Sequence, residues 1–250
     1  MDFSNAVAAA SQSIVRVNRA SGIVWADGVI VTTSHSIRFD DEIEIFYPDG
    51  ETSPAMLTGR DDASDVAVLR VDRANLTPIN WRDDDVRVGE PVIALGRPGQ
   101  SIRAALGMIA ARGGEWTTSG GATIDQYIET EGILPRGFSG GPLIDANGRA
   151  IGMNTSRLLR GGATIPVQSL RRIVASIPRP RLGIGVLGVK EGLLVIAVTR
   201  DNGLMVGDIV KSVNGAEVRG QSDLRDALKT GALTISITRG GEARDINVTL

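Results

Sequence analysis

Short apolar runs separated by glycine, aspartate and proline fill the chain from Ile14 to about Arg171. The clearest of these runs are Ser13–Val17, Gly22–Trp25, Gly28–Thr32, Ile43–Phe46, Val66–Val71 and Pro91–Leu95. They recur roughly every 8–15 residues, a spacing typical of strands in packed β-sheets or barrels. Two amphipathic segments, Asn5–Ser13 and Val167–Ile177, predict a helix near each end of this region. The pattern therefore predicts a mostly β domain with two flanking helices.

The segment Ile177–Arg181 contains two prolines separated by one arginine. Proline fixes its own φ and lacks an amide proton, so this segment interrupts both helix and sheet. We therefore expect a β-rich domain over residues 1–176, a linker over 177–181 and a second domain over 182–250.

The second domain has a different pattern, which predicts a small mixed α/β module. Its predicted strands are Leu193–Val198, Asp208–Val213, Leu233–Thr238 and Ile246–Leu250. Its predicted helix is capped by Ser222 and contains Leu224, Ala227 and Leu228. Tight turns are predicted at Asn214–Gly215 and Gly240–Gly241.

The composition excludes several classes of function. A formal net charge of −2 provides no basic field for a dedicated nucleic-acid binder. The absence of cysteine excludes disulfides, a thiol nucleophile and thiolate metal sites. With a single histidine, the usual multi-histidine zinc sites are excluded as well. Glycine supplies 31 residues, about 12% against a typical ~7%, which indicates many turns and close backbone approaches.

The first residues, Met1–Asn5, carry no basic segment, and no apolar segment follows them. The start of the chain therefore does not resemble a secretory signal. No stretch approaches the ~18 apolar residues of a membrane-spanning helix. We expect the chain as written to be soluble.

The glycine-rich segment Gly137–Leu143 is the strongest candidate for chemistry, because it places Ser139 among glycines. Backbone without side chains can approach a bound carbonyl closely, so the amides of Gly137 and Ser139 can point at a developing oxyanion. The alternative is a glycine-rich hairpin turn with an exposed serine. A serine nucleophile also needs a base, since its hydroxyl is unreactive at its own pKa.

His35, the only histidine, directly follows an apolar strand. A lone histidine is more often structural or exposed than catalytic, but the end of a buried strand would hold it rigidly. Asp65 directly precedes the apolar run Val66–Val71 and can orient an imidazole; its alternative is an ordinary turn aspartate. Taken together with Ser139, these residues predict the triad of a serine protease.

The order His, Asp, Ser in a β-rich chain resembles the chymotrypsin-like double β-barrel, and the motifs resemble the HtrA/Deg branch of serine proteases. The motifs that carry this resemblance are Val31–His35, Ser64–Leu69, Glu90–Gly96, Tyr127–Glu131, Gly137–Leu143 and Gly148–Thr155. The match covers residues 11–170. The resemblance implies a mostly β chain, with a chymotrypsin-like double β-barrel followed by a small α/β PDZ domain.

Three segments depart from the family pattern. Phe138 stands where the family usually has asparagine before the catalytic serine. The family's Gly-Asn-Pro-x-Gly turn is Gly96–Gly99 here, with Arg97 in place of asparagine. The family's Gly-Phe-Ala-Ile-Pro substrate strand is Gly162–Pro166. Relatives activated by a freed N-terminus use aspartate at the position of Phe138, so we do not expect that activation route.

The resemblance implies a role for each residue of the site. Ser139 would be the nucleophile, His35 the base and Asp65 the group that orients it. Gly137, Phe138 and Ser139 would form the oxyanion hole. The substrate-binding residues would be Ile133, Leu134, Gly162, Ala163 and Thr164. An apolar lining cannot solvate a buried arginine or lysine head group, so we expect cleavage after small or aliphatic residues.

The second domain resembles a PDZ domain at Arg181–Gly185, Gly207–Val210 and Val213–Gly215. In such a domain a peptide C-terminus adds as a strand to a sheet edge, and loop amides hold its carboxylate. The residues that this resemblance assigns to peptide binding are Leu182, Gly183, Ile184, Gly185, Leu224 and Leu228. The alternative is a module that packs against the first domain and binds nothing.

The expected function is therefore that of an ATP-independent HtrA-type serine endopeptidase in stress response and protein quality control. Its partners would be unfolded or damaged proteins and, at the PDZ domain, peptide C-termini. The alternative is a proteolytically inactive HtrA-like protein that binds peptides as a chaperone. We expect no metal, cofactor or nucleic acid. The resemblance implies that the chain can form a homotrimer, and a cell-envelope or periplasmic location if a signal or anchor has been removed.

Overall fold

The computed structural model describes residues 2–37, 43–131, 134–177, 182–199, 201–228 and 232–249. It divides the chain into two compact units, Met1–Pro178 and Arg179–Leu250. Each unit is described by itself below. Among the described residues, no helix has the length and apolar character needed to cross a membrane.

The first unit begins with helix α1 (Ser4–Ser11) and continues into a closed six-stranded barrel. The strands of the barrel are β1 (Ile14–Val17), β2 (Ala20–Ala26), β3 (Val29–Thr33), β4 (Ile43–Phe46), β5 (Thr52–Asp61) and β6 (Val66–Val71). They are hydrogen-bonded in the order β1–β2–β3–β6–β5–β4, all antiparallel. Small β-branched and aliphatic side chains such as Val15, Ile30, Ile45 and Leu69 fill its interior.

A second six-stranded antiparallel sheet follows in the same unit. Its elements and the small hairpin beside it are β7 (Pro91–Gly96), β8 (Arg103–Arg112), β9 (Trp116–Thr117), β10 (Thr123–Ile124), β11 (Ile128–Thr130), β12 (Pro142–Asp145), β13 (Ala150–Thr155) and β14 (Ala163–Pro166). The sheet order is β11–β8–β7–β12–β13–β14, and β9 pairs with β10. Helix α2 (Val167–Ser176) then begins directly after Pro166.

The largest apolar cluster of the first unit joins its two sheets. Ile23 and Val66 from the barrel share this cluster with Leu95 and Met153 from the second sheet, and Leu170 of α2 packs there as well. Burying one continuous apolar surface holds the sheets together. Loops that leave either sheet at this junction are therefore brought close to one another.

Two long strands have no counterpart among the apolar runs of the sequence. β5 alternates exposed and partly buried positions and contains Pro54, which pairs with Glu44 of β4. β8 is rich in alanine and exposes Leu106 and Met108. Neither pattern has the density of buried β-branched residues that signals a strand in sequence.

The second unit contains one antiparallel sheet and one helix. Its elements are β15 (Ile184–Val189), β16 (Gly192–Val198), β17 (Ile209–Val213), β18 (Ala216–Glu217), α3 (Gln221–Ala227), β19 (Ala232–Arg239) and β20 (Glu242–Thr249). The sheet order is β15–β16–β17–β19–β20, with β18 paired to β17, so β15 lies at an edge. The core of the unit is entirely aliphatic and includes Leu193, Val210, Leu224 and Ile235.

The cap expected at Ser222 is wrong. Helix α3 begins at Gln221 and its N-cap is Gly220, so Ser222 lies within the first turn. Asp223, at the third helical position, accepts the backbone N–H groups of Arg219 and Gly220 at 2.9 Å each. The carboxylate of Asp223 thus accepts backbone N–H groups at the start of the helix, whereas the sequence pattern predicted Ser222 as the capping residue.

Candidate active site

His35 lies just beyond the buried strand β3, in a short 3₁₀ turn over Ser34–Ser36. Strand β3 pairs with β6 so that Thr33 lies opposite Val66. This pairing brings the residues that follow β3 next to those that precede β6. His35 therefore meets Asp65, and 27% of its side chain stays exposed.

Asp65 is fully buried and holds His35 through both its backbone and its side chain. Its Oδ1 accepts the backbone N–H of His35 at 2.9 Å, and its Oδ2 lies 2.8 Å from Nδ1 of the imidazole. Its carbonyl accepts the N–H of Ser34 at 3.1 Å. Asp65 has φ +59°, a left-handed conformation that aspartate tolerates better than most residues.

The contact with Asp65 determines which ring nitrogen of His35 carries a hydrogen. A carboxylate only accepts hydrogen bonds, so Nδ1 of His35 carries the proton that points at Asp65. The other ring nitrogen, Nε2, is then the atom that can accept a proton from a nucleophile.

A second donor to Asp65 comes from the other sheet of the unit. The hydroxyl of Thr155, the last residue of β13, donates a hydrogen bond to Oδ2 of Asp65. Thr155 is fully buried, and its hydroxyl satisfies part of the hydrogen-bonding capacity of a carboxylate that is shielded from water. Sequence reasoning missed Thr155 because the two residues are 90 positions apart.

Ser139 lies in the loop before β12, close to the same end of β13, and is 6% exposed. Its Oγ lies 3.0 Å from Oγ of Ser156 and accepts the backbone N–H of Ser156 at 3.2 Å. Among the described residues, no hydrogen bond joins Ser139 to His35. The structure therefore brings His35 and Asp65 into direct contact, whereas the hydroxyl of Ser139 is hydrogen-bonded to Ser156. Nothing in the sequence pattern singled out Ser156.

The loop before Ser139 turns sharply at Gly137, which has φ +82°. The N–H of Phe138 donates to the carbonyl of Pro135 at 3.2 Å and closes this turn. Within the described part of the chain, the N–H groups of Gly137 and Ser139 have no hydrogen-bond acceptor. Two of the three expected oxyanion donors are thus free, whereas the amide of Phe138 is occupied by the turn.

Close packing explains why this loop is rich in glycine. A Cβ added at Gly137 would lie less than 3.0 Å from Pro98, and one added at Gly141 would lie equally close to the carbonyl of Leu95. The ring of Phe138 is buried, and it occupies the space that a side chain at position 96 would need. The loop therefore fits tightly against the end of β7.

Arg97, the second departure from the family pattern, is buried beside this loop. Its guanidinium donates to the backbone carbonyls of Ser11 at 3.2 Å, Ile14 at 2.8 Å and Gln100 at 2.7 Å. Burial lowers the pKa of Arg97 from its ordinary value. Its charge is stabilised by carbonyl dipoles, and it ties helix α1 and β1 to the second sheet.

The expected substrate-binding residues lie near the end of β13, apart from Ile133, which lies outside the described residues. Leu134 donates its N–H to the carbonyl of Gly161 at 2.9 Å. A Cβ at Gly162, which has φ +110°, would lie 2.9 Å from the Leu134 side chain. Ala163 pairs with Thr155 in the sheet, and Thr164 donates to Oδ1 of Asn154 at 3.0 Å.

In the second unit, the residues expected to bind peptides surround strand β15. Ile184 and Gly185 belong to β15, and Gly183 just before it has φ +66° and accepts the N–H of Thr199 at 2.8 Å. Leu182 and Leu224 are buried in the core, and Leu228 is partly buried against it. Among the described residues, no three side chains of the ligating types are arranged to hold a metal ion.

Comparison with known proteins identifies the family of this chain. The family described as "Trypsin-like peptidase domain" matches residues 20–153. A probable periplasmic serine protease do/HhoA-like of Haemophilus influenzae is 29% identical over 92% of this chain and 57% of its own length. Protease Do-like 1, chloroplastic, of Arabidopsis thaliana is 34% identical over 92% of this chain and 63% of its own. The chain thus spans less than two thirds of these relatives.

A solved structure, an HtrA-type protease AlgW with tripeptide, is 25% identical and aligns with a TM-score of 0.62. The alignment covers 100% of this chain and 96% of that one. This likeness confirms the predicted mostly β, chymotrypsin-like fold. The match to the trypsin-like peptidase domain covers more than half of the residues of this chain. The chain therefore belongs to the trypsin-like peptidase family.

Proposed function

We propose that the chain is a serine endopeptidase of HtrA type in which His35, Asp65 and Ser139 form the catalytic triad. One observation carries the proposal. His35 Nδ1 lies 2.8 Å from the fully buried carboxylate of Asp65, which leaves Nε2 free to act as a base. Membership of the trypsin-like peptidase family supports the same assignment.

In the proposed reaction, Ser139 rotates from Ser156 toward His35, and its Oγ attacks the scissile carbonyl carbon. His35 Nε2 takes the hydroxyl proton and then donates it to the leaving amine. Asp65 keeps Nδ1 protonated and stabilises the imidazolium that forms. The unpartnered amides of Gly137 and Ser139 stabilise the tetrahedral oxyanion. A water molecule then hydrolyses the acyl-enzyme in the same way.

A second candidate function is that of a proteolytically inactive, peptide-binding protein of chaperone type. The observation that favours it is the hydrogen bonding of Ser139 to Ser156 in place of His35. A serine held in this way is not activated, because its hydroxyl is not hydrogen-bonded to the base.

Hydrolysis of unfolded casein by the wild type and by Ser139→Ala separates the two candidates. We expect the wild type to degrade casein and to react with a fluorophosphonate at Ser139, and the variant to do neither, because removing the nucleophile costs roughly 10⁶-fold in such enzymes. Equal degradation by both proteins would exclude the serine mechanism. No degradation and no labelling by the wild type would favour the inactive binding protein.

We further propose that the substrates are unfolded or damaged proteins, cleaved after small or aliphatic residues. Leu134 packing beside Gly162 supports an apolar primary pocket, because such a pocket leaves a cationic head group without a partner. A peptide library profiled with the wild type tests this specificity. A dominant preference for arginine or lysine would contradict it.

We propose that residues 182–250, within the second unit, form a PDZ domain that is joined through residues 177–181 to a protease domain over 1–176. The position of β15 at a sheet edge supports this, since an added peptide strand needs an unpaired edge. An apolar peptide with a free C-terminus should bind at least about tenfold more tightly than its amidated form. Equal binding of the two peptides would reject carboxylate recognition by this unit.

Location and assembly are proposals that rest on the relatives. One of them is named periplasmic, which supports a cell-envelope location for this chain. The family resemblance supports a homotrimer. Fractionation of the native cells tests the location, and light scattering of the purified chain tests the trimer; a cytoplasmic or strictly monomeric chain would contradict the respective proposal.

A further inference from the structure

Ser21 is a fully buried serine on β2, in the barrel, and it contacts the nucleophile loop of the second sheet. Its hydroxyl donates to the carbonyl of Gly137 at 2.7 Å, across 116 positions of the chain. The same oxygen accepts the backbone N–H of Arg97 at 2.8 Å. The resemblance gave no role to Ser21, and its hydroxyl does not reach the reacting atoms.

The direction of both bonds is fixed by chemistry. An amide N–H can only donate, so the oxygen of Ser21 must accept from Arg97. A hydroxyl has a single proton, and that proton therefore points at the carbonyl of Gly137. The hydroxyl is thus held by the backbone on both sides.

The backbone of Ser21 holds the loop at a second point. Its N–H donates to the carbonyl of Ser139 at 3.0 Å, and its own carbonyl accepts the hydroxyl of Thr32 at 2.7 Å. The carbonyls of Gly137 and Ser139 are therefore both tied to one residue of the barrel. They flank the peptide group that contains the N–H of Ser139.

Fixing these carbonyls orients the free amides of the loop. In a trans peptide the C=O and the following N–H point in opposite directions. Drawing the carbonyl of Gly137 toward Ser21 turns the N–H of Phe138 away, where it closes its turn on Pro135. Glycine at φ +82° could otherwise rotate at little cost, because no Cβ restricts it.

We propose that Ser21 is a positioning residue for the oxyanion hole, which acts by holding the carbonyls of Gly137 and Ser139 so that the N–H of Ser139 between them faces the substrate. This inference rests on the proposed protease function and deepens it. Ser21 does not touch the substrate; it stabilises the loop geometry that the transition state requires.

The test is the full-length Ser21→Ala variant with a matched control. Ser169 is also fully buried, and its hydroxyl likewise accepts a backbone N–H, from Asp125 at 2.8 Å, and donates to an oxygen of the same residue at 2.6 Å. Ser169→Ala therefore removes the same atom and a comparable pair of hydrogen bonds, one accepted from a backbone N–H and one donated to a carboxylate oxygen, away from the nucleophile loop. Both variants should melt a few degrees below the wild type.

The substrate probe is a peptide p-nitroanilide with valine before the scissile bond, and the transition-state probe is a peptide boronic acid of the same sequence. A boronate becomes tetrahedral on Ser139 and places an anionic oxygen in the oxyanion hole. Ser21→Ala should lower kcat about tenfold, weaken the boronate by a similar factor and leave KM within about twofold. Ser169→Ala should change none of these three values.

If Ser21→Ala does not fold, Ser21→Cys provides the same test, because a thiol leaves no cavity at this position and is a weaker donor and acceptor than a hydroxyl. It should lower kcat and boronate affinity by several-fold. Wild-type kcat and boronate affinity in a folded Ser21 variant, or equal losses in Ser169→Ala, would overturn the inference. Activity that persists in Ser139→Ala would instead reject the protease function itself, so the two failures are distinguishable.

Discussion

The hydroxyl of Ser139 shares a hydrogen bond with Ser156 and not with the proposed base, His35. Oγ of Ser156 lies 3.0 Å from Oγ of Ser139, while the imidazole of His35 is held by Asp65. Ser156 also donates its N–H to the Ser139 oxygen at 3.2 Å. Proton abstraction by His35 requires that the bond to the Ser156 hydroxyl first be broken.

The Ser156→Ala variant should therefore react faster than the wild type. It loses the competing hydroxyl but keeps the backbone N–H. A hydrogen bond between neutral groups contributes about 1 kcal/mol, so we expect fluorophosphonate labelling of Ser139 to accelerate about fivefold. Ser53→Ala is the matched control, because it removes a hydroxyl–hydroxyl bond to Tyr47 within the barrel. Labelling of Ser156→Ala at the wild-type rate would show that Ser156 does not restrain the nucleophile.

At the scale of elements, the loop around Ser139 is shaped by the strands on either side of it. Arg97 at the end of β7 fastens α1 and β1 to the second sheet through three carbonyls, and its own N–H supports Ser21. Two of the three departures from the family pattern, Arg97 and Phe138, therefore lie in the same packed region. The geometry of this region depends on the buried guanidinium of Arg97 and its hydrogen bonds to backbone carbonyls.

Arg97→Met should destabilise the first unit by about 3 kcal/mol, because three carbonyls lose their donor while the apolar stem of the side chain is retained. Urea unfolding followed by tryptophan fluorescence measures this loss. Arg103→Met, an exposed arginine on β8, is the control and should change the stability by less than about 0.5 kcal/mol. Equal stability of the two variants would mean that the buried guanidinium contributes nothing.

Strands that are rich in buried β-branched residues could be predicted from the sequence, whereas strands without this pattern could not. The predicted runs Ile43–Phe46 and Val66–Val71 have the observed bounds of β4 and β6, because buried valine and isoleucine dominate both. β5 was missed because Thr, Ser and Pro54 replace that pattern, and its pairing to β4 and β6 comes from barrel closure.

Some contacts of the candidate site could be predicted from the sequence, and others could not. Asp65 and His35 each border a strongly apolar strand, so their meeting follows from the pairing of β3 with β6. The contacts of Thr155 with Asp65 and of Ser21 with Gly137 span 90 and 116 positions and join different sheets. Such contacts leave no periodic signal along one chain, because they depend on how two folded sheets pack together.

At the scale of the molecule, each apolar cluster lies wholly within one of the two units. All aromatic residues of the chain precede residue 179, and the core of the second unit is built from aliphatic side chains. Tryptophan fluorescence therefore reports only the first unit, whereas far-ultraviolet circular dichroism reports both. The stability of each unit can be measured separately in the full chain.

One ion pair of the second unit makes its stability sensitive to acid. Asp208 is buried and accepts two hydrogen bonds from Arg239, at 2.7 and 2.8 Å, and the N–H of Met205 at 2.8 Å. The hydrogen bonds from Arg239 lower the pKa of Asp208 below its ordinary value of 3.8. A lowered pKa in the folded state contributes stability above about pH 4, which is lost as the pH falls through the folded value.

Asp208→Asn should remove this contribution and destabilise the second unit by about 2 kcal/mol at neutral pH, because hydrogen bonds to a charged group are replaced by weaker ones. Its disadvantage against the wild type should shrink as the pH is lowered below about 4, because the carboxylate of the unfolded wild type then binds a proton that the folded form resists. Circular dichroism melts of the full chain should show this change while the tryptophan transition stays in place. Glu242→Gln, which breaks an exposed pair with Arg244, should shift neither transition measurably. A loss of stability in Asp208→Asn that stays constant as the pH is lowered would show that the Asp208–Arg239 pair is not the acid-sensitive contact.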